Sequence, residues 1–155
     1  MNKDKLILQL RRHEGVINHA YVDNRSYYTV GVGHCIDERI VGKNPLYESW
    51  IKNKTILTDD QINKLLSDDI DSKWTELTTK APWVLKLDEV RQGAVLNMCF
   101  NIGVGGFLKF KNTIACLQKQ DWAGAAHNMM QGPWHIQVGH RANDLAKQIE
   151  TGVYV

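Results

Sequence analysis

Residues 57–79 place the strongest constraint on how this chain folds. Thr58-Asp59-Asp60-Gln61 is a capping box, in which a threonine hydroxyl and a glutamine three residues later satisfy each other's orphan backbone N–H groups. Leu57 and Ile62 flank it as a hydrophobic staple. Ile62, Leu65, Leu66, Ile70, Trp74 and Leu77 follow at the helical period, so the spacing predicts one helix from Thr58 to about residue 79, stopped before Pro82. At about 1.5 Å per residue it is about 30 Å long. A chain of 155 residues suits one compact domain. A helix of that length inside it suits a connection between two lobes.

The flanking segments differ in kind. Leu6, Ile7 and Leu10 predict a helix over 3–13, capped near Gly15. Residues 19–34 read as a β-hairpin, with Asn24-Arg25-Ser26 supplying the turn and Tyr27 to Val32 the returning strand. Alternation puts Tyr28, Val30 and Val32 on one face and Tyr27, Thr29, Gly31 and Gly33 on the other, where the glycines would let a ligand approach. Residues 35–57 are polar and irregular, except that Asn44-Pro45 starts a short helix. Beyond Pro82 the pattern is helical. Asp88 caps a buried helix broken at Gly103, Gly105 and Gly106, and further helices are expected at 111–119, 122–130 and 140–150. The fold class expected is α+β, predominantly helical. It has an N-terminal lobe at about 14–57, an interlobe helix at 58–79, and a C-terminal lobe at 80–155 that also takes in helix 3–13.

Composition narrows the function classes. A net charge of +2 is too small a basic excess for a nucleic-acid-binding protein. Three widely spaced cysteines, Cys35, Cys99 and Cys116, fit neither a zinc ladder nor a disulfide framework and read as free thiols in a reducing compartment. His13, Glu14 and His19 lack the HExxH spacing, so no metal or cofactor is expected. The apolar stretch from Leu6 to Leu10 is too short for a signal peptide or a membrane anchor.

The chemistry concentrates in "HEGVINHAYVDNRSYYTVGVGH", residues 13 to 34. Glycoside hydrolysis needs one carboxylic acid to protonate the leaving oxygen and a second carboxylate to activate water or steady the developing cation. Glu14, at a helix end against the protein body, suits the acid. Asp23, at a solvated turn, suits the base, and the Thr29 hydroxyl is placed to position a water. Spacing alone leaves open that both acids are ordinary surface residues.

The same stretch closely resembles the active-site segment of the phage-type lysozymes, the muramidases of glycoside hydrolase family 24. The resemblance continues through "LTDDQINKLLSDDID", which looks like that family's interlobe helix. It extends through "LDEVRQGAVLNMCFNIGVGGFLKF", Trp122 with Ala125-Ala126, Pro133-Trp134 and Arg141-Ala142. It implies a lysozyme-like fold and hydrolysis of the β-1,4 bond between N-acetylmuramic acid and N-acetylglucosamine in peptidoglycan bound between the lobes. Glu14 would be the general acid, Asp23 the general base and Thr29 the water-positioning residue, with inversion. Phe100 and Asn128 would line the glycan cleft, as would Thr113 in place of a serine and Cys35 in place of an aliphatic residue. From the residues alone, Phe100 reads first as core, Thr113 as a helix cap, Cys35 as an inert small hydrophobe and Asn128 as an exposed amide. Trp134 is the tryptophan best suited to a sugar platform.

The biological setting implied is a monomeric endolysin that stays in the host cytoplasm until a holin-type pore gives it access to the wall. A lytic transglycosylase and a non-catalytic or tail-associated glycan-binding module are the alternatives. Two supporting contacts are expected. Family register brings Arg141 to Glu14, and Asp69, at the edge of the long helix's apolar face, is placed to pair with His34.

Overall fold

The computed structural model describes all 155 residues. Helix α1 (Lys3–Glu14) leads into a three-stranded antiparallel sheet of β1 (Ile17–Val22), β2 (Tyr28–Gly31) and β3 (His34–Cys35), in the order β1-β2-β3. Then come α2 (Glu38–Val41), α3 (Pro45–Asn53), the long α4 (Asp59–Lys80) and a 3-10 turn at Pro82–Lys86. The remainder is α5 (Glu89–Leu108), α6 (Lys111–Gln118), α7 (Trp122–Met129), α8 (Trp134–Val138) and α9 (His140–Thr151). The expected α+β, predominantly helical architecture is the one observed. Two compact units make it up, Ile7–Asp69 and Met1–Leu6 with Ile70–Val155, so the divisions fall inside α1 and α4.

The helix starts follow their capping chemistry. At α4 the Thr58 N–H donates to Gln61 Oε1 at 2.8 Å and the Gln61 N–H donates to Thr58 Oγ1 at 3.1 Å. These reciprocal bonds are the capping box read from the sequence. The Asn44 carboxamide accepts from Leu46 and Tyr47 at the start of α3, Asp88 from Arg91 at α5, and Asp121 from Gly124 at α7. Helix α1 closes at Gly15, whose φ of 77° is the left-handed conformation expected of a C-cap.

In the unit Ile7–Asp69, the buried residues Leu10, Val30, Ile36, Trp50, Leu57, Ile62 and Leu66 form an apolar centre beneath the sheet and helices. In the other unit, α5 is the central helix. Leu96, Met98, Cys99, Val104 and Phe107 from α5 are buried together with Leu117, Met129, Leu145 and Ile149. Burial pushes the Cys99 thiol up to about 12, so it stays protonated and inert.

Four expectations need correction. Residues 19–34 are not a simple hairpin. Gly31 and Gly33, at φ of 69° and 70°, turn the chain so that a third strand folds back on β2. A Cβ at Gly31 would lie 3.3 Å from Ile62 Cγ2, so this glycine lets α4 pack closely and offers no ligand-facing surface. The segment 35–57 also carries α2, capped by Asp37. Only Gly103 interrupts α5, at φ 77° and ψ 162°, and Gly105 and Gly106 lie in the helical turns that follow it. The 3-10 turn at Pro82–Lys86 and the short helix α8 had no periodic signal long enough to read.

Candidate active site

Glu14 is the last residue of α1 and its side chain is exposed. Asp23 is half-buried at the end of β1, where its Oδ1 accepts the N–H of Arg25 at 2.8 Å and that of Tyr27 at 2.9 Å. The turn closes through Ser26, whose N–H donates to the Asp23 carbonyl and whose φ is 68°. An aspartate here is what the local backbone requires, because its carboxylate replaces the ladder bonds that the turn interrupts. Both backbone donors fall on Oδ1, which leaves Oδ2 for a water.

Thr29 follows on β2 and is 3% exposed. Its hydroxyl donates to the Tyr27 carbonyl at 3.0 Å. With its proton committed, the oxygen offers only lone pairs to a third group. Tyr27 thus holds both candidate residues, its N–H on Asp23 and its carbonyl on Thr29. Sequence reading did not find this residue's role, because the role belongs to its peptide and not its side chain.

Tyr21 was missed for a related reason. Its phenol is raised above its ordinary value by burial, then by the negative charges of Asp23 and Glu14. Both carboxylates therefore act on one hydroxyl within this unit.

His34 lies where the sequence put it. Its Nδ1 is 2.8 Å from Asp69 Oδ2 on α4, and its Nε2 is 3.0 Å from the Tyr47 hydroxyl on α3. A carboxylate can only accept, so Nδ1 carries the proton, and in the neutral ring Nε2 accepts from Tyr47. Burial and the charge of Asp69 raise the Tyr47 phenol, which keeps that donor protonated. Cys35, the next residue, is half-buried and pairs with Thr29 across the β2–β3 ladder.

A second carboxylate organises the same sheet. Asp37 is 3% exposed and accepts the N–H of Tyr28 at 3.0 Å, the N–H of Arg39 at 3.0 Å, and two guanidinium bonds from Arg39 at 2.9 and 2.8 Å. The Arg39 guanidinium, with the Tyr28 N–H behind it, holds the Asp37 carboxyl well below the usual carboxylate range. A depressed folded value contributes stability that is fully present above the unfolded value of about 3.9 and lost as pH falls through the folded one. Asp37→Asn should therefore melt below the parent protein at pH 6. The gap should narrow steadily once the pH drops below about 4. Melting curves at pH 6, 4 and 2.5 check this; a constant gap would leave Asp37 without an electrostatic contribution. The signal in the sequence was Ile36-Asp37-Glu38-Arg39, an N-cap aspartate with an arginine two residues on.

The cleft residues carried over from the resemblance belong to the other unit. Phe100 is half-buried on α5. Thr113 lies inside α6, 3% exposed, and does not cap that helix, which starts after Phe110. Asn128 is half-buried, its amide donating to the Gly124 carbonyl at 2.8 Å and directed at Cys116 Sγ at 3.5 Å. Arg141 is 8% exposed, with Nε and Nη2 donating to the side-chain and backbone oxygens of Asn97 at 2.9 and 3.0 Å. Trp134 is no sugar platform. It is 5% exposed and donates its indole N–H to Asn101 at 2.7 Å.

The phage lysozyme family profile matches residues 11–150. The chain belongs to the phage lysozyme family. "Probable T4-type lysozyme 1" of Dictyostelium discoideum is 31% identical over 158 residues, covering 92% of each chain. "Probable T4-type lysozyme 2" of the same organism is 26% identical, again over 92% of each. "Pre-baseplate central spike protein Gp5" of Enterobacteria phage T4 is 26% identical over 160 residues, which cover 92% of this chain and 27% of that protein. Like its family, this lysozyme is a glycoside hydrolase whose substrate is peptidoglycan.

Proposed function

We propose that this chain is an inverting muramidase in which Glu14 is the general acid, Asp23 the general base and Thr29 the residue that orients the attacking water. The observation that carries the reading is the joint attachment of Asp23 and Thr29 to the backbone of Tyr27, through its N–H and its carbonyl. A water bound there donates one hydrogen bond to Thr29 Oγ1, whose own proton is already committed, and the other to Asp23 Oδ2, which takes that proton as the water oxygen attacks. One of its lone pairs then faces the anomeric carbon. Glu14 protonates the departing oxygen from the far side of the bond. A water between the carboxylates needs a separation on the order of 6.5–9.5 Å, as inverting enzymes have. Phe100, Thr113, Asn128 and Cys35 serve glycan binding in this reading, and Arg141, fixed by Asn97, supports the site.

The setting that follows is lysis of a bacterial host by a monomeric endolysin. No single helix is long and apolar enough to cross a membrane. In this setting a holin-type pore would give passage to the wall. The similarity to the baseplate spike protein favours a second setting, in which the domain works on the virion. Separating purified virions from the lysate supernatant and assaying both for lytic activity decides between them.

Product analysis tests the chemistry. Purified peptidoglycan should yield reducing ends at N-acetylmuramic acid, with the α-anomer released first. Anhydro-sugar ends would establish a lytic transglycosylase instead, and binding without turbidity loss a non-catalytic module.

A further inference from the structure

We propose that Asp37 and Arg39 are positioning residues for hydrolysis, holding the Ser26–Tyr27–Tyr28 segment so that the Tyr27 peptide presents Asp23 and Thr29 in register. The inference rests on the assignment of Asp23 and Thr29 above.

Tyr27 contributes its N–H to one peptide unit and its carbonyl to the next. Its carbonyl accepts the Thr29 hydroxyl at 3.0 Å and the Asp23 N–H at 2.9 Å, and its N–H donates to Asp23 Oδ1 at 2.9 Å. Rotation of the Ser26–Tyr27 peptide would release Asp23 Oδ1, and rotation of the Tyr27–Tyr28 peptide would free the Thr29 hydroxyl. The preceding residue, Ser26, sits at a φ of 68°, a conformation that a residue with a Cβ adopts only when its surroundings hold it there.

Arg39 supplies the hold. Its Nη2 donates to the Ser26 carbonyl at 2.6 Å, and its guanidinium centre lies 4.9 Å from the centroid of the Tyr27 ring. One cation thus grips both sides of the Ser26–Tyr27 peptide bond. Arg39 is itself 60% exposed at the side chain and would be mobile if unpaired. Asp37 prevents this. It is buried, and its two oxygens receive four donors, two of them from the guanidinium fork. The fourth partner, the Tyr28 N–H, ties the other end of the segment to the same carboxylate. Residues 26, 27 and 28 are therefore fixed by a single Asp–Arg pair, none of whose atoms needs to touch the glycan.

Small displacements of groups around a reacting atom are costly, and about 1 Å can lose about 10²-fold in rate. Arg39→Met keeps an unbranched side chain over the Tyr27 ring but removes every donor. Its kcat on soluble glycan should fall by about 10-fold or more with KM within about twofold of the parent, assayed well below its melting temperature. Arg39→Lys, which can reach the Ser26 carbonyl or Asp37 but lacks the fork, should recover part of the loss. Combined with Thr29→Ala, the Arg39→Met loss should shrink, because both changes act on one water. Hydrogen exchange supplies a measurement independent of turnover: the Tyr27 amide should lose protection in Arg39→Met while the amides of α3 keep theirs. Unchanged kcat in Arg39→Met, with Asp23→Ala inactive in the same assay, would overturn the positioning role and leave the assignment of Asp23 standing. A fully active Asp23→Ala would overturn that assignment and this inference with it.

Discussion

Glu14→Gln should lower turnover of peptidoglycan by about 10²–10⁴-fold while the protein still folds and still binds glycan. Glutamine matches the shape of glutamate and cannot deliver a proton, so the loss falls on the step that expels the sugar leaving group. The position favours a clean result. Glu14 ends α1 with an exposed side chain, so a glutamine of equal size fits there without repacking the core. KM should hold and kcat should carry the change, which marks a group whose help is confined to the transition state. The measurement is the initial rate on purified peptidoglycan with the melting curve run alongside. A variant retaining more than about a tenth of the parent rate would remove Glu14 as the acid, since general-acid help of this kind is worth at least about 10²-fold.

Most of the fold could be read from the sequence because its signals were local. Thr58 and Gln61 cap α4, Asp88 caps α5 and Asp121 caps α7, and each uses side-chain chemistry within three residues of its partner. The His34–Asp69 contact spans 35 residues, yet it too followed from periodicity, because helical geometry places Asp69 at the edge of the face that carries Ile62, Leu66 and Ile70. What the sequence concealed has a common physical form. Gly31 and Gly33 look like strand residues in an alternating run, and only their left-handed backbone shows that the chain turns there to make β3. Tyr47 completes the His34 pair from a helix whose partner strand no local pattern specifies. The Tyr27 peptide acts through backbone atoms that every residue type shares, so no choice of side chain announces it. Asp37 read as one more polar residue in a loop until its four donors were visible. Trp134 misled in the opposite sense, since an indole satisfied by Asn101 in the interior and one stacking on sugar have the same sequence signature.

Asp23 and Thr29 should each prove essential to hydrolysis, but the structure changes which variants show it. Alanine at either position is the simplest substitution. Asp23→Ala, however, strips the acceptor from the Arg25 and Tyr27 N–H groups, and Thr29 is buried with its hydroxyl bonded to the Tyr27 carbonyl. Either alanine should cost on the order of 1 kcal/mol of stability as well as activity, the usual net worth of such hydrogen bonds. Asp23→Asn is the sharper substitution. Its carboxamide oxygen can still accept both N–H groups and close the turn, while the amide nitrogen that replaces Oδ2 cannot take a proton from water. The rate should fall by about 10²–10⁴-fold with the melting temperature close to that of the parent. Thr29→Val keeps the shape of the side chain and leaves the Tyr27 carbonyl its bond from the Asp23 N–H. It should cost less stability than Thr29→Ala and as much activity, because the lost group is the water's acceptor. The two asparagine and valine variants together separate chemistry from scaffolding. If both melt well below the parent yet hydrolyse normally at low temperature, the turn is a structural element and the base lies elsewhere. If both are inactive and stable, the attacking water is held between the two side chains that the Tyr27 peptide aligns.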